Sequence, residues 1–235
     1  MICIFSDFYH QINTRYDRVR LIKQSPRGRL SLLRHKDSGH RYVLREYEGN
    51  AEVYRSLLEI DFPNLPRISE VVEQDGKVAV LEEYIEGNTL AELLEGCLFT
   101  PTEAKMILRQ LCQGLWVLHD RDLIHRDIKP ENIMLEGNRA VLIDFDASRA
   151  RKSERRADTE VLGTTGYAPP EQYGFSQTDG RADIYALGVL LNIMLTGEHP
   201  SGKLAGGRLG RVVQRCTMVA PEKRYRDVRC LLRAL

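Results

Sequence analysis

The chain has 235 residues, and its 34 lysines and arginines nearly balance its 33 aspartates and glutamates, which leaves a formal net charge of +1. A general nucleic-acid or membrane-surface binder would carry a basic excess, so this balance argues against both classes. The length suffices for one or two domains with substantial buried cores.

The cysteines and the apolar runs indicate where the protein works. The five cysteines are odd in number, scattered and without CxxC spacing, which argues against a disulfide framework or a zinc site. No run of about 18 apolar residues is present, and residues 1–13 lack the basic start and long apolar core of a signal peptide. We therefore expect a cytoplasmic protein without a membrane segment.

Short apolar runs between residues 19 and 84 predict β-strands, because Gly, Pro and Asp separate them. The runs cover residues 30–33, 42–44, 68–72 and 78–81. Residues 50–60 interrupt them with helical spacing, since Val53, Leu57 and Ile60 fall on one side of a helix. We predict a small lobe over about residues 16–85, made of one helix on one antiparallel β-sheet.

After Gly87 the apolar spacing changes to a period near 3.6, which predicts a mainly helical lobe over residues 86–235. Residues 100–103, Thr-Pro-Thr-Glu, are typical of a helix start. Residues 183–195 are apolar nearly all round, which indicates a buried helix. The predicted fold class is therefore α+β, with two lobes that meet near residues 84–88, and a cleft at such a junction is a common ligand site.

Residues 125–132 read HRDIKPEN, and Asp144-Phe145-Asp146 follows after a short predicted strand. This spacing supplies one proton acceptor, one lysine and two metal ligands, which are the groups that phosphoryl transfer from ATP requires. Asp127 is predicted to accept the proton of the acceptor hydroxyl, and Lys129 to neutralise the phosphoryl group during transfer. Asn132 and Asp144 are predicted to hold Mg²⁺ against the nucleotide phosphates.

With these motifs the chain resembles the eukaryotic-type (Hanks-type) serine/threonine protein kinase family, small bacterial members especially, from about residue 16 to its last residue. The resemblance implies that residues 1–235 form a single two-lobed, protein-kinase-like domain, which uses ATP and Mg²⁺ and phosphorylates a protein substrate. It also implies that His125 packs beneath the metal-binding loop. Lys129 favours serine or threonine as the acceptor, because tyrosine kinases of this family usually carry another residue there.

Residues 163–174 read GTTGYAPPEQYG, which resembles the end of a kinase activation segment. The resemblance implies that Glu171 pairs with Arg224 and anchors the peptide-binding region, a feature that small-molecule phosphotransferases of related fold generally lack. It also implies that Asp183 braces the catalytic loop and that Thr164 hydrogen-bonds near the catalytic aspartate and lysine.

Glu160 stands four residues before Thr164, where many relatives of this family carry a phosphorylated threonine. The resemblance implies that Arg126 contacts the activation segment. The Glu160 carboxylate either satisfies Arg126 without phosphorylation or is exposed without a partner. Thr159 and Ser153 stay open as phosphorylation sites.

The chain departs from the family at positions that would handle ATP and metal. Aligning the second and third strands puts Arg45 where the family has its ATP-anchoring lysine, and the bulkier planar fork of arginine is not a conservative replacement. Lys23, Ser25 and Gly28 fall at the three glycine positions of the phosphate-covering loop, so only Gly28 is retained. Asp146 stands where the family usually has a glycine, whose freedom at positive φ eases movement of this loop.

Two acids are candidates to pair with Arg45. Glu52 is the best candidate for the helix glutamate that pairs with the cation of the third strand, although the spacing implies a shortened helix and leaves Glu48 open. Glu82 falls beside the expected adenine pocket, where an unpaired carboxylate would carry a desolvation penalty of several kcal/mol. We therefore predict that Arg45 and Glu82 pair, with Glu52 as a third member.

The remaining nucleotide contacts follow from the same resemblance. Backbone groups of Glu83 to Ile85 are expected to bind the adenine edge. The adenine ring is expected to lie between the apolar side chains of Leu30, Val43 and Met134.

We therefore predict a serine/threonine protein kinase that transfers the γ-phosphoryl group of ATP to a protein hydroxyl. Two alternatives stay open. A pseudokinase would act as a nucleotide-binding or empty scaffold by protein contact, which Arg45 and the thinned glycine loop favour, and a small-molecule kinase is the third reading. The segment between residues 200 and 221 is short for the family, so helices that dock partners there are predicted to be trimmed. The sequence identifies no physiological substrate, activating signal or oligomeric state.

Overall fold

The computed structural model describes residues 4–26, 28–150, 166–173 and 179–235. The chain divides into two compact units, one made of Met1–Phe62 and Pro66–Ile85 and the other of Pro63–Leu65 and Glu86–Leu235. We call them the small unit and the large unit. Within the described residues, no helix combines the length and the apolar character that crossing a membrane requires.

The small unit is a five-stranded antiparallel sheet with two helices. Its elements in chain order are helix α1 (Ile4–Arg15), strands β1 (Tyr16–Ser25), β2 (Gly28–His35) and β3 (Arg41–Glu48), helix α2 (Glu52–Leu57), and strands β4 (Ile68–Gln74) and β5 (Lys77–Glu83). The spatial order of the strands is β1-β2-β3-β5-β4, and all neighbouring pairs are antiparallel. The four predicted strands lie within β2, β3, β4 and β5 and are confirmed.

The two helices cover opposite faces of the sheet. Phe8 and Ile12 of α1 are almost fully buried and belong to one core cluster with Leu44 of β3. Because side chains alternate along a strand, Arg45 points to the other face, where its guanidinium lies 5.7 Å from the ring centroid of Tyr54 in α2. Strand β5 is therefore buried on both faces, which explains why its apolar run is unbroken rather than alternating.

Helix α1 is an addition to the sequence prediction, which contains one helix in this unit. Phe5, Phe8, Tyr9 and Ile12 have the i, i+3, i+4, i+7 spacing of a helix that packs on a core, so the signal was available in the sequence. The predicted helix over residues 50–60 is present as α2 but is six residues long, as its short distance from Arg45 implies.

The large unit is mainly helical, and its described residues contain two short sheets. Its helices are α3 (Leu90–Gly96), α4 (Pro101–His119), α5 (Arg181–Thr196), α6 (Gly207–Cys216) and α7 (Val228–Ala234), and its strands are β6 (Asn88–Thr89), β7 (Leu123–Ile124), β8 (Ile133–Glu136), β9 (Arg139–Leu142) and β10 (Arg149–Ala150). Strands β6, β8 and β9 form one sheet, and β7 and β10 form the other. The α+β fold class is confirmed.

Two helices of the large unit form where the sequence predicts them. Thr100 caps α4, because its hydroxyl oxygen accepts from the Glu103 amide at 3.3 Å while a Glu103 carboxylate oxygen accepts from the Thr100 amide at 2.8 Å. This reciprocal capping box satisfies two backbone amides of the first turn. Helix α5 is buried along most of its length and ends at Gly197, which adopts the left-handed conformation (φ 75°) that favours glycine.

The connection from α5 to α6 is held by one buried side chain. Asn192 donates from Nδ2 to the carbonyls of Glu198 and Lys203, both at 2.7 Å, and its Oδ1 accepts from the Ala205 amide at 2.8 Å. Residues 197–206 contain no helix, whereas α6 occupies Gly207–Cys216 of the segment in which the sequence predicts trimmed helices. An amide side chain therefore satisfies backbone groups that the connection would otherwise leave unpaired.

Residues 63–65 lie between the two chain segments of the small unit, but they pack as part of the large unit. Asn64 donates from Nδ2 to Gln110 Oε1 at 3.0 Å and to the Ala140 carbonyl at 2.8 Å, and its own carbonyl accepts from the Leu142 amide at 3.0 Å. Asn64 is buried, so these bonds tie the segment firmly to α4 and β9.

Candidate active site

The loop after β7 brings together three of the four predicted catalytic residues. An Asp127 carboxylate oxygen, Oδ2, lies 2.8 Å from Lys129 Nζ and accepts from Asn132 Nδ2 at 2.9 Å. Asn132 Nδ2 also donates to the Asp127 carbonyl at 2.8 Å. The turn of 3₁₀ helix at Pro130–Asn132 returns the chain toward Asp127, so a cation and an amide fix the carboxylate from two sides.

Asp183 of α5 holds the backbone of this loop from within the core. Its carboxylate is fully buried and accepts from the Arg126 amide at 2.8 Å and the His125 amide at 3.0 Å. Arg126 has a φ of 68°, a left-handed conformation that costs a non-glycine residue energy. Two charge-assisted hydrogen bonds therefore maintain a strained turn directly before Asp127.

His119 at the end of α4 supports Asp183. Its Nε2 lies 2.7 Å from Asp183 Oδ2. Burial alone would raise the pKa of the Asp183 carboxyl, but the hydrogen bond and charge of His119 and the backbone hydrogen bond hold that pKa below its ordinary value. The carboxylate therefore stays ionised inside the core and continues to accept hydrogen bonds from the loop.

The Asp-Phe-Asp motif lies directly beside this loop. The Ile143 amide donates to the Asn132 carbonyl at 2.9 Å. The residue directly before Asp144 is therefore hydrogen-bonded to the other predicted metal ligand, Asn132. The rings of His125 and Phe145 meet edge to face with centroids 5.2 Å apart, which agrees with the expected packing of His125 beneath the motif. Burial lowers the pKa of His125, so its ring is neutral there.

Asp144, rather than Asp146, adopts the left-handed conformation in this motif. The φ of Asp144 is 67°, whereas Asp146 is not among the described non-glycine residues with a positive φ. Aspartate at the usual glycine position therefore carries no left-handed strain in this conformation. The Asp146 amide donates to Asp144 Oδ1 at 3.4 Å, so the motif turns back on its own first carboxylate.

The side chains of Asn132 and Asp144 fit a magnesium ion chemically. Asn132 uses Nδ2 for both of its hydrogen bonds to Asp127, so its amide oxygen is the end that can act as a ligand. Asp144 supplies a half-buried carboxylate. Magnesium prefers oxygen ligands of these kinds and keeps several waters when it binds beside phosphates.

Glu171 and Arg224 form the predicted anchor. Arg224 Nη1 lies 2.6 Å from Glu171 Oε1 and Nη2 lies 2.8 Å from Oε2, which is a bidentate pair. The same guanidinium donates to the carbonyls of Arg181, Met218 and Val219 at 2.7–3.0 Å. Arg224 thus joins the 3₁₀ turn at Pro170–Tyr173 to α5 and to the segment that follows α6.

Gln172, next to Glu171, is a site residue that the sequence prediction lacks. It is 2% exposed, and its Nε2 donates to the Arg126 carbonyl at 2.9 Å. The 3₁₀ turn that carries Glu171 and Gln172 is therefore bonded to the strained residue of the predicted catalytic loop. His119 is also missing from the prediction, because a single histidine at a helix end carries no specific signal before the fold is known.

In the small unit, Arg45 and Glu82 form the predicted pair. Arg45 Nε lies 3.4 Å from Glu82 Oε1, and the two side chains are 7% and 8% exposed. Strand pairing explains the geometry, because Val43 lies opposite Glu82 and Arg45 opposite Val80, which makes Arg45 and Glu82 diagonal neighbours on one face. Each charge therefore compensates the other in a site with little water.

Glu52 is not the third member of this pair. Its side chain is exposed at the start of α2, and in the described part of the chain no ion pair joins it to Arg45. The reason is the short helix, whose first turn does not carry residue 52 over the sheet, whereas Tyr54 reaches the guanidinium instead. Glu48 is exposed at the end of β3.

The other predicted nucleotide residues divide between the units. Leu30 lies opposite Arg45 in the β2–β3 pair, so Leu30, Val43, Arg45 and Glu82 share one face of the sheet. Met134 lies in β8 of the large unit, opposite Thr89. The small unit therefore brings Leu30 and Val43 together, and their enclosure of an adenine ring with Met134 stays a prediction.

One backbone group that is predicted to bind the adenine edge already makes a hydrogen bond within the protein. The Glu83 amide donates to the Arg67 carbonyl at 2.9 Å, and a Glu83 carboxylate oxygen accepts from the Arg67 amide at 3.0 Å. The Glu83 amide therefore cannot donate to a ligand in this conformation. Ile85 is buried at the end of the small unit.

Gly28 is required by the sheet itself. A Cβ atom at this position would lie 2.3 Å from the Glu46 carbonyl oxygen, a distance that real Cβ atoms do not reach. Lys23 and Ser25, at the other two glycine positions, lie in exposed strand β1, and Ser25 pairs with Gly28 across the turn. The one family glycine that this chain retains, Gly28, is thus at a position where Glu46 leaves no space for a side chain.

The predictions for Ser153, Thr159, Glu160 and Thr164, and for the contact of Arg126 with that segment, lie outside the described residues.

Comparison with known proteins identifies sequence relatives over most of the chain. The sequence pattern described as "Protein kinase domain" matches residues 30–225. Serine/threonine-protein kinase pkn2 of Myxococcus xanthus is 34% identical over 154 residues, which are 62% of this chain and 19% of that protein. Probable serine/threonine-protein kinase PknB of Corynebacterium glutamicum is 38% identical over 136 residues, 55% of this chain and 21% of that protein.

A plant relative matches more of the chain. Serine/threonine-protein kinase SRK2G of Arabidopsis thaliana is 31% identical over 198 residues, 79% of this chain and 56% of that protein. The chain therefore spans about a fifth of the two bacterial relatives and just over half of the plant one.

Proposed function

Because the chain belongs to the protein kinase domain family, we propose that it transfers the γ-phosphoryl group of ATP to a serine or threonine hydroxyl of a protein. The observation that carries the proposal is the arrangement around Asp127, whose carboxylate is fixed by Lys129 and Asn132 within one short loop. A serine or threonine acceptor is favoured by Lys129 and by the names of the relatives.

In this proposal Asp127 accepts the proton of the attacking hydroxyl. Its carboxylate is partly exposed, so a substrate can approach it, while the bonds to Asn132 and Lys129 orient it before substrate arrives. Lys129, at 2.8 Å from that carboxylate, lies close enough to neutralise the charge on the phosphoryl group in flight. The strained turn at Arg126 and the brace by Asp183 maintain this arrangement.

Asn132 and Asp144 are the proposed magnesium ligands, through an amide oxygen and a carboxylate. When bound, magnesium supplies positive charge that offsets the charge developing on the phosphate oxygens. Asn132 would then serve twice, since its Nδ2 orients Asp127 while its oxygen faces the metal. Arg45 is the proposed phosphate-binding cation of the small unit, in place of the usual lysine, and Glu82 keeps it oriented.

A protein substrate is proposed because Glu171 and Arg224 form the anchor that this family uses beside its peptide-binding region. The protein is further proposed to work in the cytoplasm, which the unpaired cysteine pattern of the sequence supports. No nucleic-acid partner is proposed.

The proposal is tested by measuring ATP turnover with Mg²⁺, with and without a generic basic protein as acceptor. We expect turnover that depends on the acceptor protein, and a decrease of about 10²–10⁴-fold in Asp127→Asn and loss of activity in Asp144→Asn. Nucleotide binding without turnover would indicate a pseudokinase instead. Turnover that does not respond to any protein acceptor would indicate a small-molecule kinase.

A further inference from the structure

Helix α1 precedes the part of the chain that the family pattern matches, yet hydrogen bonds join it to the start of β2, where Gly28 is the glycine retained at the proposed phosphate-covering loop. The Tyr9 hydroxyl donates to Glu46 Oε1 at 2.5 Å. Glu46 Oε2 accepts from Arg29 Nε at 2.6 Å and Oε1 accepts from Arg29 Nη2 at 2.9 Å. We call this chain of bonds, Tyr9–Glu46–Arg29, the turn clamp.

Both ends of the turn clamp are fixed to their own elements. Tyr9 is adjacent to Phe8, which is 2% exposed in the core beneath α1. Arg29 directly follows Gly28, whose backbone lies against β3 without space for a side chain. A displacement of α1 is therefore transmitted to the first residues of β2, because the core does not let Tyr9 move independently.

On the side of α1, the start of β2 borders open space. A cavity of about 370 Å³ lies beside it, with α1 and the ends of β3 and β5 among its walls. Its lining includes Phe5, Pro26, Tyr47 and Lys77. Since a segment that borders open space can shift on that side at little cost in lost contacts, the hydrogen bonds of the turn clamp add to the pairing of Gly28 and Arg29 with β3 in restricting the start of β2.

The turn clamp is electrostatically suited to this task. Burial, with the hydrogen bond and charge of Glu46, raises the pKa of Tyr9 above its ordinary value, so the hydroxyl remains a donor. Burial alone would raise the pKa of Glu46, but the hydrogen bonds of Arg29 and Tyr9 hold it below its ordinary value. A charged acceptor makes each bond stronger than a neutral pair would.

We propose that Tyr9 is a positioning residue for nucleotide binding, which acts through Glu46 and Arg29 to hold the start of β2, at Gly28 and Arg29, in one position. This inference rests on the proposed function, because that function gives the start of β2 its phosphate-binding role. It also assigns a task to α1: the helix restrains the start of β2 in a chain that replaces two of the three family glycines.

The test compares Tyr9→Phe with Tyr16→Phe. Tyr9→Phe keeps the ring and removes only the hydroxyl. Tyr16 lies at the start of β1, where its ring packs against His35 and Tyr42, and within the described residues no hydrogen bond of its hydroxyl is found. Tyr16→Phe is therefore a matched control on the same unit.

Two measurements are made on the full chain. Hydrogen exchange without nucleotide is followed in the peptide that contains the β1–β2 turn, and steady-state kinetics give KM for ATP and kcat. We expect Tyr9→Phe to accelerate exchange in that peptide and to raise KM for ATP about fivefold, with kcat changed less than KM. Tyr16→Phe is expected to match the wild type in both.

Each other result has a defined meaning. Unchanged exchange in Tyr9→Phe, or faster exchange without a change in KM, would overturn the positioning role of Tyr9. Wild-type protein that shows no thermal stabilisation by MgATP would overturn the proposed function, and with it the nucleotide role of the turn; this measurement precedes the variants, so the two failures are distinguishable.

Discussion

Arg45 and Glu82 form a buried ion pair across strands β3 and β5, with Nε and Oε1 3.4 Å apart. Both positions depart from the family pattern, and the structure shows that the departures are compatible with each other. Glu82 compensates the buried charge of Arg45, and removing one partner of a buried pair typically costs about 3–5 kcal/mol.

Glu82→Gln is therefore expected to lower the free energy of unfolding by about 3–5 kcal/mol, measured by urea denaturation. The control is Asp17→Asn, which removes the acid from the pair of Asp17 with Arg34, at 3.3 Å but about half exposed. An exposed pair contributes less than about 1 kcal/mol. Equal effects of the two substitutions would contradict a stabilising role of the Arg45–Glu82 pair.

Arg224→Lys is expected to destabilise the large unit by about 3 kcal/mol or more. A lysine has one ammonium group and cannot replace the fork that binds Glu171 and three backbone carbonyls. Thermal melting measures the effect. Arg226→Lys, on an arginine side chain that is 84% exposed, should change stability by less than about 0.5 kcal/mol; a similar loss in both variants would show that the bidentate geometry is unimportant.

Gln172→Met is expected to lower kcat by about tenfold or more with little change in KM for ATP. The substitution keeps the length and buried character of the side chain but removes the hydrogen bond to the Arg126 carbonyl, which precedes Asp127. Small displacements of a catalytic group have effects of at least this size on rate. Steady-state kinetics and a melting curve on the same protein separate this effect from unfolding, and an unchanged kcat would remove Gln172 from the site.

The pKa of His125 predicts how stability depends on pH. Burial lowers the pKa of this ring in the folded protein, so below about pH 6.5 the unfolded chain binds a proton at His125 that the folded protein does not. Stability is therefore lost as pH falls from about 6.5 toward the folded-state pKa, by up to about 1.4 kcal/mol per pH unit.

Urea denaturation at pH 7.5 and pH 5.5 measures this contribution. His125→Phe, which keeps a ring against Phe145, is expected to lose less stability between the two pH values than the wild type. His10→Phe, at an exposed position of α1, is expected to behave as the wild type does. If His125→Phe shows the same pH dependence as the wild type, the ring does not titrate as proposed.

The part of the site that the sequence predicts is the part whose residues are close together along the chain. Asp127, Lys129 and Asn132 lie within six positions, so one loop conformation determines their geometry. The sequence also predicts the Arg45–Glu82 pair, because a buried carboxylate requires a cation nearby. The expected strand order leaves few cations that could be that partner.

The remaining contacts join residues that are far apart in the sequence, so local spacing does not predict which residues meet. Gln172 and Arg126 are 46 positions apart, and a glutamine beside an anchor glutamate has no distinctive pattern. Glu52 was misplaced because the start of α2 relative to β3 depends on where the helix packs. Tyr9 was missed because residues before the family resemblance have no motif, even though their helical spacing is visible.

The three residues 63–65 have a consequence for how the protein is made. They are synthesised before α4 and β9, so during translation Asn64 lacks its partner Gln110 until just under half of the chain has left the ribosome, and its partner Ala140 until more than half has. A fragment that ends at residue 85 would carry this asparagine and Leu65 without the elements that bury them. The two units are therefore interleaved along the sequence. A chimera that takes its large unit from a relative must also take residues 63–65 from that relative.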